Sequence, residues 1–417
     1  MVNYDNLERI LKEKGIRKSD LTRKLGISSR TIAKISKGEK ISARVITKIS
    51  DYLNCDENKL FSEVDSRDIF NKSYSNKGVS DKRHPKLSGQ MSMSGSIGTD
   101  GQNNSKKIVI FGGGTGISSI LSGLKLFPVD VTAVIAVSDD GSSTGVLKEE
   151  LDIPAVGDLG KVLLSMANVD DDFIDLLSYR FHKTGSLQNH PVRNIMLAAL
   201  IDLKGNLTEA AKYMGNLLRV RGTVLPLTEE KVELVGHGKE GDYLGEVAVG
   251  QNIRDIDYIT YDHPIKVNSE VVEKVLEADM IILSSGSLYT SIIPHLLSST
   301  VKEALYASSA PIMYIANLVT QPGETDGYSV SDHIKVLNRY LGKRKVDIVL
   351  ANNGTVSSEI ADRYKTTENK YLVDLDVDKV RAQGAQIIAD DVIRIEKGTM
   401  VHDEIKTAYL VFSSLMG

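Results

Sequence analysis

The sequence predicts an α/β protein in which a doubly wound sheet domain follows a small all-α domain. After residue 106, short apolar segments alternate with amphipathic segments of helical period, as in parallel strands covered by helices on both faces. Residues 3–60 contain only short segments of helical spacing. Between them, residues 62–105 include 10 Ser, 5 Gly and 4 Asn, which is typical of a flexible linker. The predicted boundaries are therefore 1–61, 62–105 and 106–417.

Composition narrows the class of protein. The chain has 417 residues, of which 41% are hydrophobic and 25% charged, as in ordinary globular proteins. A single cysteine, Cys55, excludes an internal disulfide framework and fits a reducing compartment. No apolar segment is long enough to cross a bilayer. We expect a cytoplasmic protein without a membrane span.

The charge is distributed unevenly. Residues 1–60 contain 14 Lys and Arg against 8 Asp and Glu, a surplus of six positive charges, so the remainder carries −10 in a chain of net charge −4. A basic N-terminal domain on an acidic body indicates an anionic partner for the first domain only.

The first domain carries a recognisable spacing. Leu-x-x-x-Leu-Gly-Ile-Ser from Leu21, followed by Thr-Ile-x-x-Ile-x-x-Gly from Thr31, resembles the Cro/C1-type helix-turn-helix family. The resemblance implies that residues 29–37 form the recognition helix and that DNA is the partner, bound by a homodimer. The alternative is a small helical domain whose basic face binds a protein. The residues expected at the DNA are Lys18, Ser29, Arg30, Thr31 and Lys34.

In the second domain, strands are predicted at 108–111, 131–137, 280–283, 312–315 and 346–351. Helices are predicted at 117–126, 271–276, 289–297 and 331–341. Residues 225–265 contain short alternating segments, which indicate a small β excursion or lid. Ligands of doubly wound domains bind at the carboxyl ends of the strands, so the polar loops there are the candidate site.

The first such loop is rich in glycine. The sequence Lys-Ile-Val-Ile-Phe-Gly-Gly-Gly-Thr-Gly ends at Gly116, and a strand followed by a glycine turn and a helix is typical of a phosphate cradle. The dinucleotide fingerprint fits only in part, since Ile117 stands at its third glycine. A glycine turn that binds no ligand is the alternative. The predicted phosphate-binding residues are Gly112, Gly113, Gly114, Thr115 and Gly116.

The second loop, residues 138–145, contains two adjacent carboxylates, Asp139 and Asp140, followed by Ser142 and Ser143. Paired carboxylates can hold a divalent cation such as Mg²⁺ or a ribose hydroxyl, and the hydroxyl groups can bind phosphate or sugar. A turn with a helix cap uses the same residue types and is the alternative.

Two further loops and a histidine are also candidates for ligand binding. Gly286, Ser287 and Thr290 follow the strand at 280–283 and can hold a second phosphate or the nucleotide. Residues 317–328 form a polar loop after the next strand. His190 can act as a general base or a phosphate contact, or make a hydrogen bond at a helix start, whereas His333 is expected to be structural.

Together these loops resemble the gluconeogenesis factor (YvcK-like) family, related to 2-phospho-L-lactate transferase (CofD-like). The most specific segments are Gly-Ser-Leu-Tyr-Thr-Ser from Gly286 and Thr-Gln-Pro-Gly-Glu-Thr-Asp-Gly-Tyr from Thr320, and the resemblance covers residues 106–415. It implies a modified Rossmann domain that binds a nucleoside diphosphate derivative. It also implies that Tyr289 packs on the ligand and that Asn317 and Gln321 line the pocket. Of the family motif near 190, His190 and Asn194 remain.

The family has two branches, and the resemblance leaves both open. The regulatory branch implies a UDP-sugar ligand and control of carbon flow into cell-wall precursors and cell shape. The transferase branch implies a guanylylated phospholactate-type donor and magnesium. Near Val146 and Gly160 the family's usual arginines are missing, and Arg193 is a hypothetical substitute. We expect a non-catalytic regulator with a DNA-binding module. The alternatives are a magnesium-dependent transferase and a transcription factor whose α/β domain is only an effector-responsive scaffold.

Overall fold

The computed structural model describes residues 2–3, 5–14, 16, 21, 24–25, 27, 43–53, 55, 62–63, 105–182, 185–254, 256–396 and 398–417. The chain divides into two compact units, Met1–Ile97 and Gly98–Gly417. The five residues predicted to contact DNA lie outside the described residues, and so does nearly all of the predicted linker.

In the first unit, helices α1 (Asp5–Glu13) and α2 (Ala43–Leu53) contribute to a small core, and strand β1 (Val2–Asn3) pairs antiparallel with β2 (Ser62–Glu63). Apolar residues four apart share one face of a helix, and both helices use such a pair. The buried core residues described here are Leu7, Leu11, Leu21, Ile27, Ile49 and Leu53.

The second unit is built on a seven-stranded parallel sheet. Its strands are β3 (Lys106–Gly112), β4 (Val129–Ile135), β5 (Thr223–Pro226), β9 (Met280–Leu283), β10 (Ile312–Ile315), β11 (Ile348–Asn352) and β12 (Gln386–Asp390). Their spatial order is β12-β11-β10-β9-β3-β4-β5, and every neighbouring pair runs parallel.

The order of these strands fixes the place for a ligand. From β3 the chain builds outward through β4 to β5, then returns to the other side of β3 with β9 and builds outward again. The loops after β3 and β9 therefore leave in opposite directions. They open a crevice at the carboxyl end of the sheet, the switch point of a doubly wound fold.

Both faces of the sheet are covered. Ile108 and Ile110 of β3 pack into one apolar core, and Val109 and Phe111 pack into the other. Since alternate side chains of a strand point to opposite faces, burial on both faces accounts for the unbroken apolar segment seen in the sequence. The helices of this part of the sheet domain are α3 (Gly114–Leu124), α4 (Ser142–Leu151), α5 (Gly157–Ser165), α6 (Asp171–Ser178), α7 (Val192–Lys204) and α8 (Leu207–Leu217).

One predicted helix in the second half of the domain is not a regular α-helix. The predicted helix at 289–297 is one π-helical turn, Leu288–Ile292, followed by a 3-10 turn, Ile293–Leu296. Pro294 lies at the start of this second turn and has no N–H for a regular α-helix. The later helices are α10 (Ser269–Glu277), α11 (Ser299–Ala307), α12 (Val330–Leu341), α13 (Ser358–Glu368), α14 (Val377–Ala382) and α15 (Glu404–Met416).

The β excursion is present. Strands β6 (Leu234–Gly238), β7 (Asp242–Leu244) and β8 (Ile256–Tyr261) form a small antiparallel sheet in the order β7-β6-β8. The alternating residues 244–249 lie within this excursion, but from Glu246 they form helix α9 (Glu246–Asn252) and not a strand. Gly245, with φ +93°, makes the turn between the two.

Two sheet strands were not predicted. β5 is four residues long and ends at Pro226, and β12 lies at the sheet edge with side chains no more than half-buried. Their apolar segments, 224–227 and 387–389, are short. A hairpin of β13 (Ile393–Glu396) and β14 (Thr399–His402) follows β12. Within the described part of the chain, no helix combines the length and the apolar character needed to cross a membrane.

Candidate functional site

A cavity of about 490 Å³ lies at the switch point of the sheet, within the range of small-molecule sites. Loops after β3, β4, β9 and β10 contribute to its wall, together with α5, α9 and the β14 hairpin strand. Its lining residues are Gly113, Gly114, Thr115, Gly116, Ser119, Asp139, Asp158, Lys161, Glu246, Ser285, Gly286, Ser287, Thr290, Ser291, Asn317, Leu318, Val319, Gln321, Lys370, Met400, Val401 and His402.

The glycine turn opens directly into this cavity. Gly113 is the N-cap of α3, and no side chain caps that helix, so its first amides keep their capacity to bind an anion. Gly114 has φ +60°, a conformation that favours glycine. A Cβ at Gly113 would lie 2.7 Å from Asp158 Oδ2, and one at Gly116 would overlap the carbonyl oxygen of Ser285. The turn therefore depends on glycine for both its dihedral angles and its close packing.

The loop after β9 is held by the loop after β10. The Gly286 amide donates to Asn317 Oδ1 at 3.0 Å, and Asn317 Nδ2 donates to the Gly286 carbonyl at 2.7 Å. A side-chain amide thus replaces a backbone partner on both sides of Gly286. The role supported for Asn317 is to position this loop.

Glu324 already occupies part of the predicted second phosphate site. Its Oε1 accepts from Ser287 Oγ at 2.6 Å and from the Tyr289 amide at 2.8 Å. Burial raises the pKa of this carboxyl group, and the two hydrogen bonds oppose that change. A ligand phosphate that used Ser287 would have to displace a carboxylate, which binds the same donors.

Three carboxyl groups face the glycine turn: Asp139, Asp158 and Glu246. Burial raises the pKa of Asp139, with Asp158 adding to the effect. The pKa of Glu246 is raised well above its usual range, first by burial and then by the charges of Asp139 and Asp158. Lys161 Nζ contacts Asp158 Oδ1 at 2.8 Å and neutralises part of this cluster.

The fit of a divalent cation follows from these positions. In the described part of the chain, no three His, Cys, Asp or Glu side chains converge closely enough to hold a metal ion by themselves. Mg²⁺, however, is commonly bound by one or two carboxylates together with substrate phosphates. Asp139 and Asp158 line the cavity beside the phosphate cradle, so they suit such a shared site. Asp140 does not, because its Oδ1 accepts from the Val247 amide at 3.0 Å.

The C-terminal hairpin supplies another wall of the cavity. His402 Nε2 lies 3.1 Å from the Ala316 carbonyl oxygen, and its Nδ1 lies 3.4 Å from Ser285 Oγ. Burial lowers the pKa of His402 to about 4. The ring is therefore neutral at pH 7, donates from Nε2, and can accept a hydrogen bond from Ser285.

One polar atom in the wall has no partner among the residues that the structure describes. Gln321 Oε1 is buried without a hydrogen bond, and Gln321 lines the cavity. A buried acceptor left unpaired is costly, and a ligand donor would satisfy it. Lys370 also lines the cavity, with its ammonium group paired to Glu368 at 2.9 Å.

The structure brings ten of the seventeen predicted ligand and metal residues into this cavity. They are Gly113, Gly114, Thr115, Gly116, Asp139, Gly286, Ser287, Thr290, Asn317 and Gln321. The other seven do not line it: Gly112, Asp140, Ser142, Ser143, His190, Asn194 and Tyr289.

Ser143, His190 and Asn194 instead form a buried network. Ser143 Oγ lies 2.9 Å from His190 Nδ1, and Asn194 Nδ2 donates to Ser143 Oγ at 3.2 Å. All three side chains are buried. This network fixes α7 against the start of α4, so these residues support the loop after β4.

Sequence reasoning did not select Asp158, Lys161, Glu246 and His402. Asp158 and Lys161 start α5, and their local signal was the Gly-Asp pair at 157–158. Glu246 and His402 come from the excursion and the C-terminal hairpin, and no sequence pattern relates those segments to the glycine turn. His402 is 117 residues beyond its partner Ser285.

Comparison with known proteins agrees with this architecture. Residues 108–393 match the family model described as 2-phospho-L-lactate transferase CofD. The gluconeogenesis factor of Bacillus subtilis is 38% identical over 313 residues, which cover 74% of this chain and 98% of the relative. The chain belongs to the gluconeogenesis factor family.

Further relatives of the family extend the likeness. The gluconeogenesis factor of Listeria innocua is 35% identical over 311 residues, covering 74% of this chain and 95% of the relative. A crystal structure of a Bacillus halodurans protein superposes with a TM-score of 0.71 at 34% identity, covering 75% of this chain and all of that one. Residues 6–65 match the model of the Cro/C1-type HTH DNA-binding domain.

Proposed function

We propose that the switch-point cavity binds a nucleotide sugar of the UDP-sugar class. The protein would then act as a ligand-responsive regulator that links carbon metabolism to cell-wall precursor synthesis and cell shape. The helix-turn-helix module would connect the bound state of the cavity to DNA. Membership of the gluconeogenesis factor family supports the regulatory role.

The observation that carries the proposal is the uncapped start of α3. Its amides face a cavity of about 490 Å³, and the glycines before it allow a phosphate to approach the backbone. Helix N-termini of this kind attract anions through their free N–H groups and the helix dipole. A diphosphate is the ligand group that this geometry favours.

The oxygen acceptors that line the cavity favour a sugar. Asp139, Glu246 and Gln321 present oxygen acceptors to the cavity, and Gln321 Oε1 has no partner. Acceptors repel a phosphate but match the hydroxyl groups of a sugar. We infer that the diphosphate lies at the glycine turn and that the sugar lies against these acceptors.

A second candidate function is that of a magnesium-dependent transferase. Asp139 and Asp158 lie beside the phosphate cradle, and a cation there would neutralise both the carboxylates and a ligand phosphate. When bound, Mg²⁺ would supply charge stabilisation to a leaving phosphate. Lys161 already holds Asp158 in place from the adjacent turn of α5.

Calorimetric titration of the full-length protein separates the two functions. UDP-N-acetylglucosamine and GDP are each titrated with and without Mg²⁺. Binding of the UDP-sugar without product formation supports the regulator. Binding of GDP alone, and only with Mg²⁺, supports the transferase, and failure of both ligands refutes the cavity assignment.

A matched pair of variants sharpens the result. Asp139→Asn removes a charge in the cavity, whereas Asp202→Asn removes one from an exposed position on α7. If Asp139 contacts the ligand, only Asp139→Asn changes the affinity for the UDP-sugar. Equal titrations for both variants would remove Asp139 from the site.

DNA binding is proposed for the first unit on the basis of the match over residues 6–65 and its basic charge. Selection from a random DNA pool, with and without the UDP-sugar, tests it. Enrichment of one sequence, lost in Arg30→Ala, supports specific recognition. Binding that falls steeply with salt but favours no sequence indicates only a basic patch.

A further inference from the structure

A second cavity of about 550 Å³ lies away from the switch point, between β8, the segment that follows it and the start of α11. It shares no lining residue with the first cavity. Its volume is also within the range of small-molecule sites. Nothing in the proposed function uses it.

One end of this cavity has the character of an anion site. Ser298 is the N-cap residue of the nine-residue helix α11, yet its side chain caps no amide. The Ser298 side chain is only 9% exposed and lines the cavity. Its hydroxyl forms no hydrogen bond within the described chain, although an N-cap serine normally bonds the first turn of its own helix.

A cation lies beside this hydroxyl. Lys302 is one turn along α11 from Ser298 and lines the same cavity. It forms no salt bridge with a carboxylate among the described residues. Three kinds of hydrogen-bond donor therefore lie together: the uncapped amides of α11, the Ser298 hydroxyl and the Lys302 ammonium group. None of these groups carries a negative charge, so the set suits a phosphate.

Another part of the cavity lining is apolar and ordered. Tyr261 and Tyr340 line it, and each ring is held by its hydroxyl group: Tyr261 donates to the Pro294 carbonyl at 3.1 Å, and Tyr340 accepts from the Ile259 amide at 3.1 Å. Ile265 and Leu297 complete this wall. Two fixed aromatic rings offer a flat surface on which a ring-shaped ligand can pack.

The acidic group nearby is already engaged. Asp262 is the single carboxylate among the lining residues in the described chain, and its Oδ1 accepts from the Glu233 amide at 3.0 Å. The same oxygen lies 3.0 Å from His263 Nδ1. The negative charge of Asp262 therefore already interacts with the Glu233 amide and with His263.

We propose that this cavity is a second ligand site, specific for a small phosphate monoester that carries an apolar ring. The phosphate binds the start of α11 through Ser298 and Lys302. The ring packs against Ile265, Leu297 and the two tyrosines. Neither half of the ligand is expected to bind well without the other, because each half of the cavity recognises only one chemistry.

Phenyl phosphate is the probe for this proposal, and inorganic phosphate is the comparison. Both are titrated into the full-length protein by calorimetry. We expect phenyl phosphate to bind more tightly than inorganic phosphate, and Lys302→Gln and Ser298→Ala each to weaken it about tenfold, as for loss of a hydrogen bond to a charged group. Lys365→Gln, an exposed lysine of α13, should leave it unchanged.

Two controls keep the test decisive. Since Ser298 caps nothing, Ser298→Ala should unfold at the urea concentration of the wild type. Asp403→Ala, which removes a cap that accepts from the Lys406 amide at 2.8 Å, should lower it. Absence of phenyl phosphate binding overturns the proposal. So does binding that survives Lys302→Gln but is lost in Lys161→Gln, because the probe would then occupy the switch-point cavity.

Discussion

Replacement of Gly114 by alanine tests the phosphate cradle directly. Gly114 has φ +60°, and a Cβ there would lie 3.4 Å from Asp158 Oδ2, an ordinary contact. The backbone strain of a non-glycine residue in this region costs about 1–2 kcal/mol. The cost in folding free energy should therefore be modest, and the domain should remain folded.

Gly205 provides the matched control. It has φ +87° at the end of α7, and nothing lies within 4 Å of a Cβ there. Gly205→Ala should lose a similar ~1–2 kcal/mol of folding free energy but lies outside the cavity lining. Any difference in ligand affinity between the two variants then reports on the cradle and not on general destabilisation.

The assay combines two measurements on each full-length variant. Urea unfolding gives the folding free energy, and calorimetry gives the affinity for UDP-N-acetylglucosamine. Loss of backbone contacts to a charged phosphate should weaken binding at least about tenfold in Gly114→Ala, with Gly205→Ala near the wild type. Wild-type affinity in Gly114→Ala would refute the cradle.

Four other changes test separate parts of the site. Glu246→Gln should be more stable than the wild type at pH 7. Its raised pKa contributes stability that is fully present below the ordinary value of 4.5 and is lost as pH rises through the folded value. Urea midpoints that do not converge below pH 4 would contradict this. Asp140→Ala should cost about 1 kcal/mol of stability by removing the bond to the α9 amide. It should leave any Mg²⁺ response intact, whereas Asp139→Asn should abolish such a response in calorimetry. Gly116→Ala should prevent folding, because its Cβ overlaps the Ser285 carbonyl oxygen. A cooperative urea transition of this variant would contradict this and show that the loop containing Ser285 moves to make room for the methyl group.

Local signals were enough to find the glycine turn and the loops after β4, β9 and β10. Each motif follows an apolar strand, and parallel strands bring their carboxyl ends to one edge. Local signals failed for Ser143, His190 and Asn194, which are polar in a helix-start context but buried in their own network. They also failed for Glu324, whose carboxylate reaches the donors of Ser287 from 37 residues away.

The sequence by itself determined the α/β class, the positions of five of the seven strands of the main sheet and the glycine turn, because hydrophobic periodicity and backbone requirements are properties of adjacent residues. Only the tertiary structure decided which polar side chains share the cavity. Asp158, Glu246 and His402 reach the cavity from α5, the β excursion and the C-terminal hairpin. The raised pKa of Glu246 arises from burial and from two aspartates that are 88 or more residues away in the chain. Long-range contacts of this kind depend on packing of the whole domain, and no local pattern encodes them.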